Sequence, residues 1–560
     1  MNSLYLALIM LSAYLIAYHT YGKFLAKKIF KIDKNAICPS LELQDNCDFV
    51  PTDKQVLFGH HFTSIAGLGP IVGPSIAIIW GWIPAVIWVL FGSIFMGAIH
   101  DFGSLVISLR SKGSSIGDIA GNLINPRVKN LFLLIIFFEL WIVIAIFALI
   151  IAILFTMYPQ AVIPVWFQIP IAITLGYFVY KRQGSHLKLG IIAVIIMYLS
   201  IILGAYFPIV MPSIAGFSSI SIWIIILLIY AYIASIIPVQ VLLQPRDYIN
   251  SHQLLIAMTL LGIGTFIARP EIVAPPLNLS PEGAPPVFPF LFVIIACGAI
   301  SGFHSLVSSG TSSKQCDNEN SALYIGFGGM LLEGSLSTLV IIAVAGGIGI
   351  ALKTNTGEVL QGVDAFSHHY SSWASANGLS AKLGAFITGS VNIISSLGIS
   401  PKITKAIMGV FLVSFAATTL DSATRIQRYI ITEMTISWKL KFLSGKHSAT
   451  LIAVVSAFIL AFYNGSGKGA LTLWPLFGSV NQLLAALSLL VITIYLTAKK
   501  QNSLYAKIPL IFMIFMTGWA MSLNIIKFYQ LNNWILFFIG VSVFVLEIWM
   551  VIESLVLKNK

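Results

Sequence analysis

Charge is what this sequence has least of. Of 560 residues, 32 are Lys or Arg and 20 are Asp or Glu, 9% in all, where a soluble domain carries roughly 25%. With 58% hydrophobic residues and a mean hydropathy of +0.93, the shortage excludes a soluble fold. Cysteine is scarce too: Cys38, Cys47, Cys297 and Cys316 are too few for a disulfide framework, and free thiols are expected. A Cys38/Cys47 metal clip with His60 or His61 fits no usual zinc spacing. There is no nucleotide-binding motif, no CxxCH and no soluble regulatory domain. No signal-peptide pattern opens the chain either, because Lys23, Lys27, Lys28 and Lys31 follow the first apolar stretch instead of preceding it. Residues 3–22 therefore read as a retained first helix.

What the sequence has in abundance is apolar runs of about 20 residues, the length a helix needs to cross a bilayer. Runs bounded by charge, Pro or Gly predict spans near 3–22, 57–79, 83–109, 130–157, 162–180, 189–211, 220–241 and 252–268. Further spans are expected near 287–308, 323–351, 403–420, 448–464, 470–496, 508–526 and 534–556, fifteen crossings in all. With the amino terminus outside, the inner loops and carboxyl end hold 25 of the 32 basic residues, which fits the positive-inside tendency. The formal net charge of +12 is thus topogenic, and nucleic-acid binding is a poor reading of it. A full crossing at 383–398 would move Arg425, Arg428, Lys439, Lys441 and Lys446 outside, so 383–398 is expected to be re-entrant or interfacial. Seven prolines within 270–289 predict a stiff extended strap, and 352–382 reads as a polar outer loop. The expected divisions are 1–56 (first helix and basic loop), 57–445 (core) and 446–560 (peripheral helices).

Polar residues inside spans are expensive, so they mark function first. The run Phe58-Gly59-His60-His61-Phe62-Thr63-Ser64-Ile65-Ala66-Gly67-Leu68-Gly69-Pro70-Ile71-Val72-Gly73-Pro74 packs four glycines and two prolines into seventeen residues. It should break its helix and free backbone groups, which is tolerated only where protein or a wet cavity satisfies them. Asn481 and Gln482, in an apolar helix after Trp474-Pro475, need hydrogen-bond partners and should lock helix to helix.

That run, followed by Ala98-Ile99-His100-Asp101-Phe102 and Ser114-Ser115-Ile116-Gly117-Asp118, closely resembles the carbon-starvation protein A (CstA) family of membrane transporters. Similar motifs continue in order: Pro245-Arg246-Asp247-Tyr248, Ser301-Gly302-Phe303-His304-Ser305, Ser308-Ser309-Gly310-Thr311-Ser312-Ser313-Lys314, Glu333 after Gly328-Gly329-Met330, Thr419-Leu420-Asp421-Ser422-Ala423-Thr424-Arg425 and Leu473-Trp474-Pro475-Leu476-Phe477-Gly478. The resemblance implies an all-α polytopic transporter of peptides or pyruvate, with a core of two inverted five-helix repeats plus peripheral helices. It also implies an ion gradient, H⁺ or Na⁺, as the driving force, a bacterial plasma membrane as the location, and no enzymatic activity or cofactor. The topology permits this independently, since 57–79 and 220–241 run in opposite directions and would be the two discontinuous helices.

Within that frame Arg246 is the expected substrate ligand, its guanidinium fork matched to a carboxylate, with Gln240, Gln244 and the backbone of Gly67, Gly69 and Gly73 beside it. The plainer reading of Arg246 is a topogenic charge paired with Asp247. His60, His61 and His304 change charge near neutral pH, and with Asp101 and Glu333 they are the candidate proton carriers; the alternative is neutral histidines bonded to broken backbone. Ser308, Ser309 and Thr311 are expected to face the carbonyls freed around Ala66 and Gly67 as a shell for a hard cation. Asp421 and Arg425, four residues apart, are expected to form a structural ion pair. Glu139 is a weaker relay candidate, and Glu547 and Glu553 read as structural. Competing readings are a metal- or haem-binding redox protein built on His60, His61 and His304, and a channel or sensor.

Overall fold

The computed structural model describes residues 2–557 except 183, 215 and 355, and omits the side chains of 554–557. Lys558 and Lys560, counted among the inner charges, lie outside the described residues. Among the described residues twelve helices are long and apolar enough to cross a bilayer, or thirteen with the bent pair Lys54–Ala66 and Gly69–Trp80. Of the two further crossings expected, 448–464 is the 17-residue helix Lys446–Phe462, and 287–308 is not one helix but falls on two, Val287–Ile294 and Gly302–Gly310. Apart from a two-residue hairpin pairing Leu352 with Leu360, the described regular structure is helical.

The core is organised around two long helices, Pro126–Met157 and Pro401–Ser437, packed along each other. Each begins with a proline, where no intrahelical N–H is lost, behind a polar cap. Asn125 accepts from the Val128 amide at 2.9 Å and Ser400 from that of Ile403 at 3.4 Å. From the segment 446–560, helix Trp474–Ala498 packs into this core.

The first helix break falls inside the glycine-rich run. Asp53 caps helix Lys54–Ala66 through the Gln55 amide at 2.8 Å. The chain then leaves helical geometry at Gly67, where φ is +23° and a Cβ would lie 2.8 Å from Thr419 Oγ1. Only glycine fits both constraints. Helix resumes at Gly69, bent by 41°.

The partner of this break is not the helix expected. Helix Ser219–Ile236 simply ends and is followed by helix Leu243–Ala268. The second mid-length break lies at 295–301, between Val287–Ile294 and Gly302–Gly310. Its freed backbone is satisfied by side chains. Trp88 Nε1 donates to the Ile295 carbonyl at 3.0 Å and Gln482 Nε2 to that of Phe292 at 3.0 Å. Asn481 Oδ1 accepts from Ser301 Oγ at 3.1 Å and from the Phe303 amide at 3.0 Å. These bonds remove the cost of unpaired backbone in an apolar setting. The two broken segments run antiparallel and touch, Gly69 against Cys297 and Gly73 against the Ile294 carbonyl.

The ends of the molecule differ. At one end the 31–53 loop is tied down by Val50 to Lys314 (3.2 Å), Thr52 to Gln315 (3.0 Å) and Val239 to Cys47 (3.0 Å), and by Arg425 and Arg428 on Asp48 (2.6 and 2.8 Å). At the other, the Pro-rich strap receives the Trp82 amide on Pro275 (3.1 Å), donates from Asn278 to Trp80 (2.8 Å) and accepts from Trp373 on Glu282 (2.8 Å). Helix Leu379–Ser395 follows Trp373, and Asn392 near its far end bonds to the Gly347 and Ala351 carbonyls. Both its ends therefore belong to the strap end.

Candidate functional site

A cavity of about 600 Å³ runs from the strap to the first helix break, within the size range of small-molecule sites. Its floor is Gly67, Leu68, Gly69, Phe147 and Thr419, and its mouth includes Gly283 to Pro286, Trp373, Asn377 and Lys527. Phe290, Val293, Cys297, Phe303, Trp474 and Phe477 form an apolar wall. Gly67, Gly69 and Gly73, expected at the substrate site, all line it.

Directly behind the wall at Cys297 and Phe303 lies a fully buried chain of ionisable groups. His100 Nδ1 is 2.7 Å from Asp101 Oδ1, and Asp101 Oδ2 is 2.9 Å from His304 Nδ1. His304 Nε2 lies 3.3 Å from Glu333 Oε2, a contact lacking hydrogen-bond alignment that leaves both Glu333 oxygens unbonded. His304 Nε2 and the Glu333 carboxyl, neither with a hydrogen-bond partner among the described residues, face each other, two groups of the kind that can pass a proton between them. The sequence-predicted Asp101, His304 and Glu333 are thus brought together. Cys297 joins His304 and Glu333 as potential metal ligands within 4.8 Å of one another. This is the one such trio among the described residues; of the His60, His61 and His304 on which the redox reading was built, it includes only His304.

Between the cavity floor and the 31–53 loop sits a second buried network. Arg246 donates to Asp421 through Nη1 and to Asp247 through Nη2 at 3.0 Å. Tyr230 Oη accepts from Arg246 at 2.6 Å and donates to Asp421 at 2.9 Å. Thr418 and Asn250 complete the set, and His60 Nδ1 closes on Asp247 Oδ2 at 2.6 Å. His61 instead pairs with Ser312 Oγ at 2.8 Å. Arg246 therefore does not line the cavity; both terminal nitrogens are held by protein groups. Gln244 bonds Tyr180, Thr52 and Gln315, and Gln240 reaches only the Asn46 carbonyl, so neither touches the cavity.

Two other expectations are corrected. Asp421 and Arg425 do not pair, because each finds a partner on another element: Asp421 takes Arg246 and Tyr230, while Arg425 takes Asp48 and the carbonyls of Ala234 and Ile237. The oxygen shell of Ser308, Ser309 and Thr311 is not assembled at the first break. Ser309 and Thr311 turn back onto carbonyls of their own chain four residues earlier, Ser305 and Val307, and the Ser308 hydroxyl is buried without a partner. The hydroxyls at the break belong to Thr419, which donates to the Ser64 carbonyl at 3.4 Å, and to Ser422, 2.8 Å from Ser64 Oγ. Glu139 is buried with both oxygens unbonded, away from either network. Glu547 is buried likewise, and Glu553 accepts from Asn125 at 3.0 Å. Sequence reasoning missed Lys382 as a site residue: it lines the cavity and is only 6% exposed.

The sequence profile described as carbon starvation protein CstA matches residues 2–520. Similar curated proteins include the peptide transporter CstA of Campylobacter jejuni, 32% identical over 92% of this chain and 79% of its own. The peptide transporter CstA of Escherichia coli is 31% identical over 91% of this chain and 79% of its own, and the pyruvate/proton symporter BtsT of the same organism is 29% identical over 94% and 82%. Among solved structures, a mutant manganese transporter from Eremococcus coleocola aligns with 91% of this chain and 99% of its own at 14% identity and a TM-score of 0.40, too distant to carry any inference about the site. Near-complete coverage by the profile and by relatives above 30% identity, over a helical membrane fold with a broken-helix cavity, has one meaning: the chain belongs to the carbon starvation protein CstA family and is a membrane transporter.

Proposed function

We propose that this protein is a secondary transporter that carries small carboxylate nutrients, peptides or pyruvate-like acids, across a bacterial plasma membrane by proton-coupled alternating access. The cargo classes follow the names of the three relatives above, two peptide transporters and one pyruvate/proton symporter. The carrying observation is the His304–Glu333 contact behind the cavity wall: a proton position shares Cys297 and Phe303 with the space a substrate would fill. Filling one site then changes the cost of charge in the other. Two antiparallel broken segments support an inverted-repeat core. The grouping of Lys314, Arg425 and Arg428 about the 31–53 loop supports a cytoplasmic position for that end and an outer one for the strap. On this orientation the cavity opens outward, and the Arg246 network closes the inward path beneath it.

The test is transport by purified protein in proteoliposomes given labelled pyruvate or trialanine. An acid-outside pH gradient without Na⁺ should drive uphill accumulation. Glu333→Gln should abolish that accumulation yet keep counterflow, which needs no net proton movement. Accumulation that follows Na⁺, ignores pH and survives Glu333→Gln would overturn the reading.

A further inference from the structure

Lys382 stands in the first turn of helix Leu379–Ser395. It is 6% exposed, lines the cavity, and its ammonium has no hydrogen-bond or ion-pair partner among the described residues. Three physical facts make that placement costly. A buried charge normally comes with a counter-charge; a cation in the first turn of a helix opposes the helix dipole; and the cavity wall supplies no acid. Among the residues lining the cavity there is no Asp or Glu, and the charged groups are Lys382 and, at the mouth, the exposed Lys527. The other polar side chains there, Asn377, Asn524, Gln530 and Thr419, are neutral, and Asn524 already donates to Ser479 at 3.2 Å.

From this geometry we infer that Lys382 is the counter-charge for the cargo's carboxylate in the cavity, with Lys527 drawing anions to its mouth. The inference rests on the transport reading above and names its substrate class: an organic acid whose remaining surface is largely apolar. Phe290, Trp474 and Phe477 face that remainder. The ammonium's three donors accept a carboxylate in several poses, which suits cargo that must arrive and leave. A free ammonium on the cargo meets no carboxylate on the wall, so acids without one, such as 2-oxo acids or N-acylated peptides, are favoured over cationic cargo. The removal of Arg246 from the carboxylate role follows from the same geometry, since its fork is already occupied by Asp247 and Asp421.

The experiment is calorimetric binding to the full chain in nanodiscs, using pyruvate and N-acetyl-trialanine and, as uncharged counterparts, pyruvamide and N-acetyl-trialaninamide. In the wild type at least one acid should bind more tightly than its amide. Lys382→Gln should weaken acid binding about tenfold or more, the value of a lost charged hydrogen bond, while amide affinity stays within about twofold. Lys382→Arg should recover most of the loss, and Lys527→Gln should give a smaller loss that fades with added salt. Equal weakening of acid and amide, wild-type acid affinity in Lys382→Gln, or a wild type that binds neither acid would each overturn the assignment. Because binding needs no gradient, a protein that transports on Na⁺ instead of protons would defeat the coupling reading and leave this result standing.

Discussion

Two buried cations divide this molecule. Arg246 has two carboxylates, a tyrosine and a threonine around its terminal nitrogens, whereas Lys382 has none and faces an open cavity. Both are almost fully buried, so the difference is not one of depth. It is one of obligation: the positive charge of Arg246 is answered within the protein, and the Lys382 half is left with a positive charge that something else must answer. A transporter that alternates needs this inequality. The closed side must be stable without cargo, and the open side must gain by binding it.

The largest way to break the comparison is to remove each cation and compare stability. Arg246→Gln leaves Asp247 and Asp421 buried together without their shared partner, and breaking a buried charge network from one side costs about 3–5 kcal/mol. Thermal unfolding in detergent should show a large fall in Tm, with Arg246→Lys recovering part of it. Lys382→Met should leave Tm unchanged or raise it, because it removes a charge with no partner. Equal destabilisation by both would mean that Lys382 is a structural residue and the two halves are not different in kind.

How much of this was legible beforehand follows the same division. Apolar runs are local, so the spans and the first break at Gly67 could be read from residue order, and the glycine-rich run lines the cavity as expected. The second break was hidden because 290–300 is almost wholly apolar, with only Cys297-Gly298 interrupting it. Its existence depends on Trp88 and Gln482 arriving from distant helices to donate to the freed carbonyls and on Asn481 to accept from the freed amide. Asp421 and Arg425 have the spacing of an ion pair, yet that local option is worth only a few tenths of a kcal/mol, and buried partners on other elements outcompeted it. Lys382 carries no sequence signal at all. It counts as one of seven basic residues on the outer side, and only the placement of helix Leu379–Ser395 buries it.

A middle-sized effect tests the wall of the open half. Asn481→Leu leaves the Phe303 amide and the Ser301 hydroxyl without their acceptor, at about 1–3 kcal/mol for a buried donor left unpaired. The expected signature is faster hydrogen exchange at residues 301–304 and weaker cargo binding, with exchange around Arg246 unchanged. Spread of the exchange effect into the Arg246 network would show that the two halves open as one unit.

The smallest effect lies at the loop that seals the closed half. Asp48 accepts from Arg425 Nη1 at 2.6 Å and from Arg428 Nη2 at 2.8 Å. Burial pushes its carboxyl pKa up, but the Arg428 and Arg425 guanidiniums outweigh that and hold it well below the usual carboxylate range. A depressed folded-state pKa gives stabilisation that is complete above the unfolded value of about 4 and is lost only as pH falls further. Between pH 5 and 8 the Asp48 carboxylate should therefore add no pH dependence to the latch. Asp48→Asn should speed amide exchange at residues 45–52 and at Val239, whose N–H bonds the Cys47 carbonyl at 3.0 Å, by roughly fivefold to tenfold, about 1 kcal/mol for a partly exposed ion pair. Arg425 keeps its Ala234 carbonyl at 2.8 Å, so the loop should loosen without detaching. Transport by the wild type is expected to vary with pH over this range if, as proposed above, its proton position is the His304–Glu333 contact. The ratio of mutant to wild-type exchange at 45–52 should stay flat over the same range. A ratio that instead falls towards one as the pH drops from 8 to 5 would mean that protons act on the latch directly, and the coupling site would have to move from the open half to the closed one.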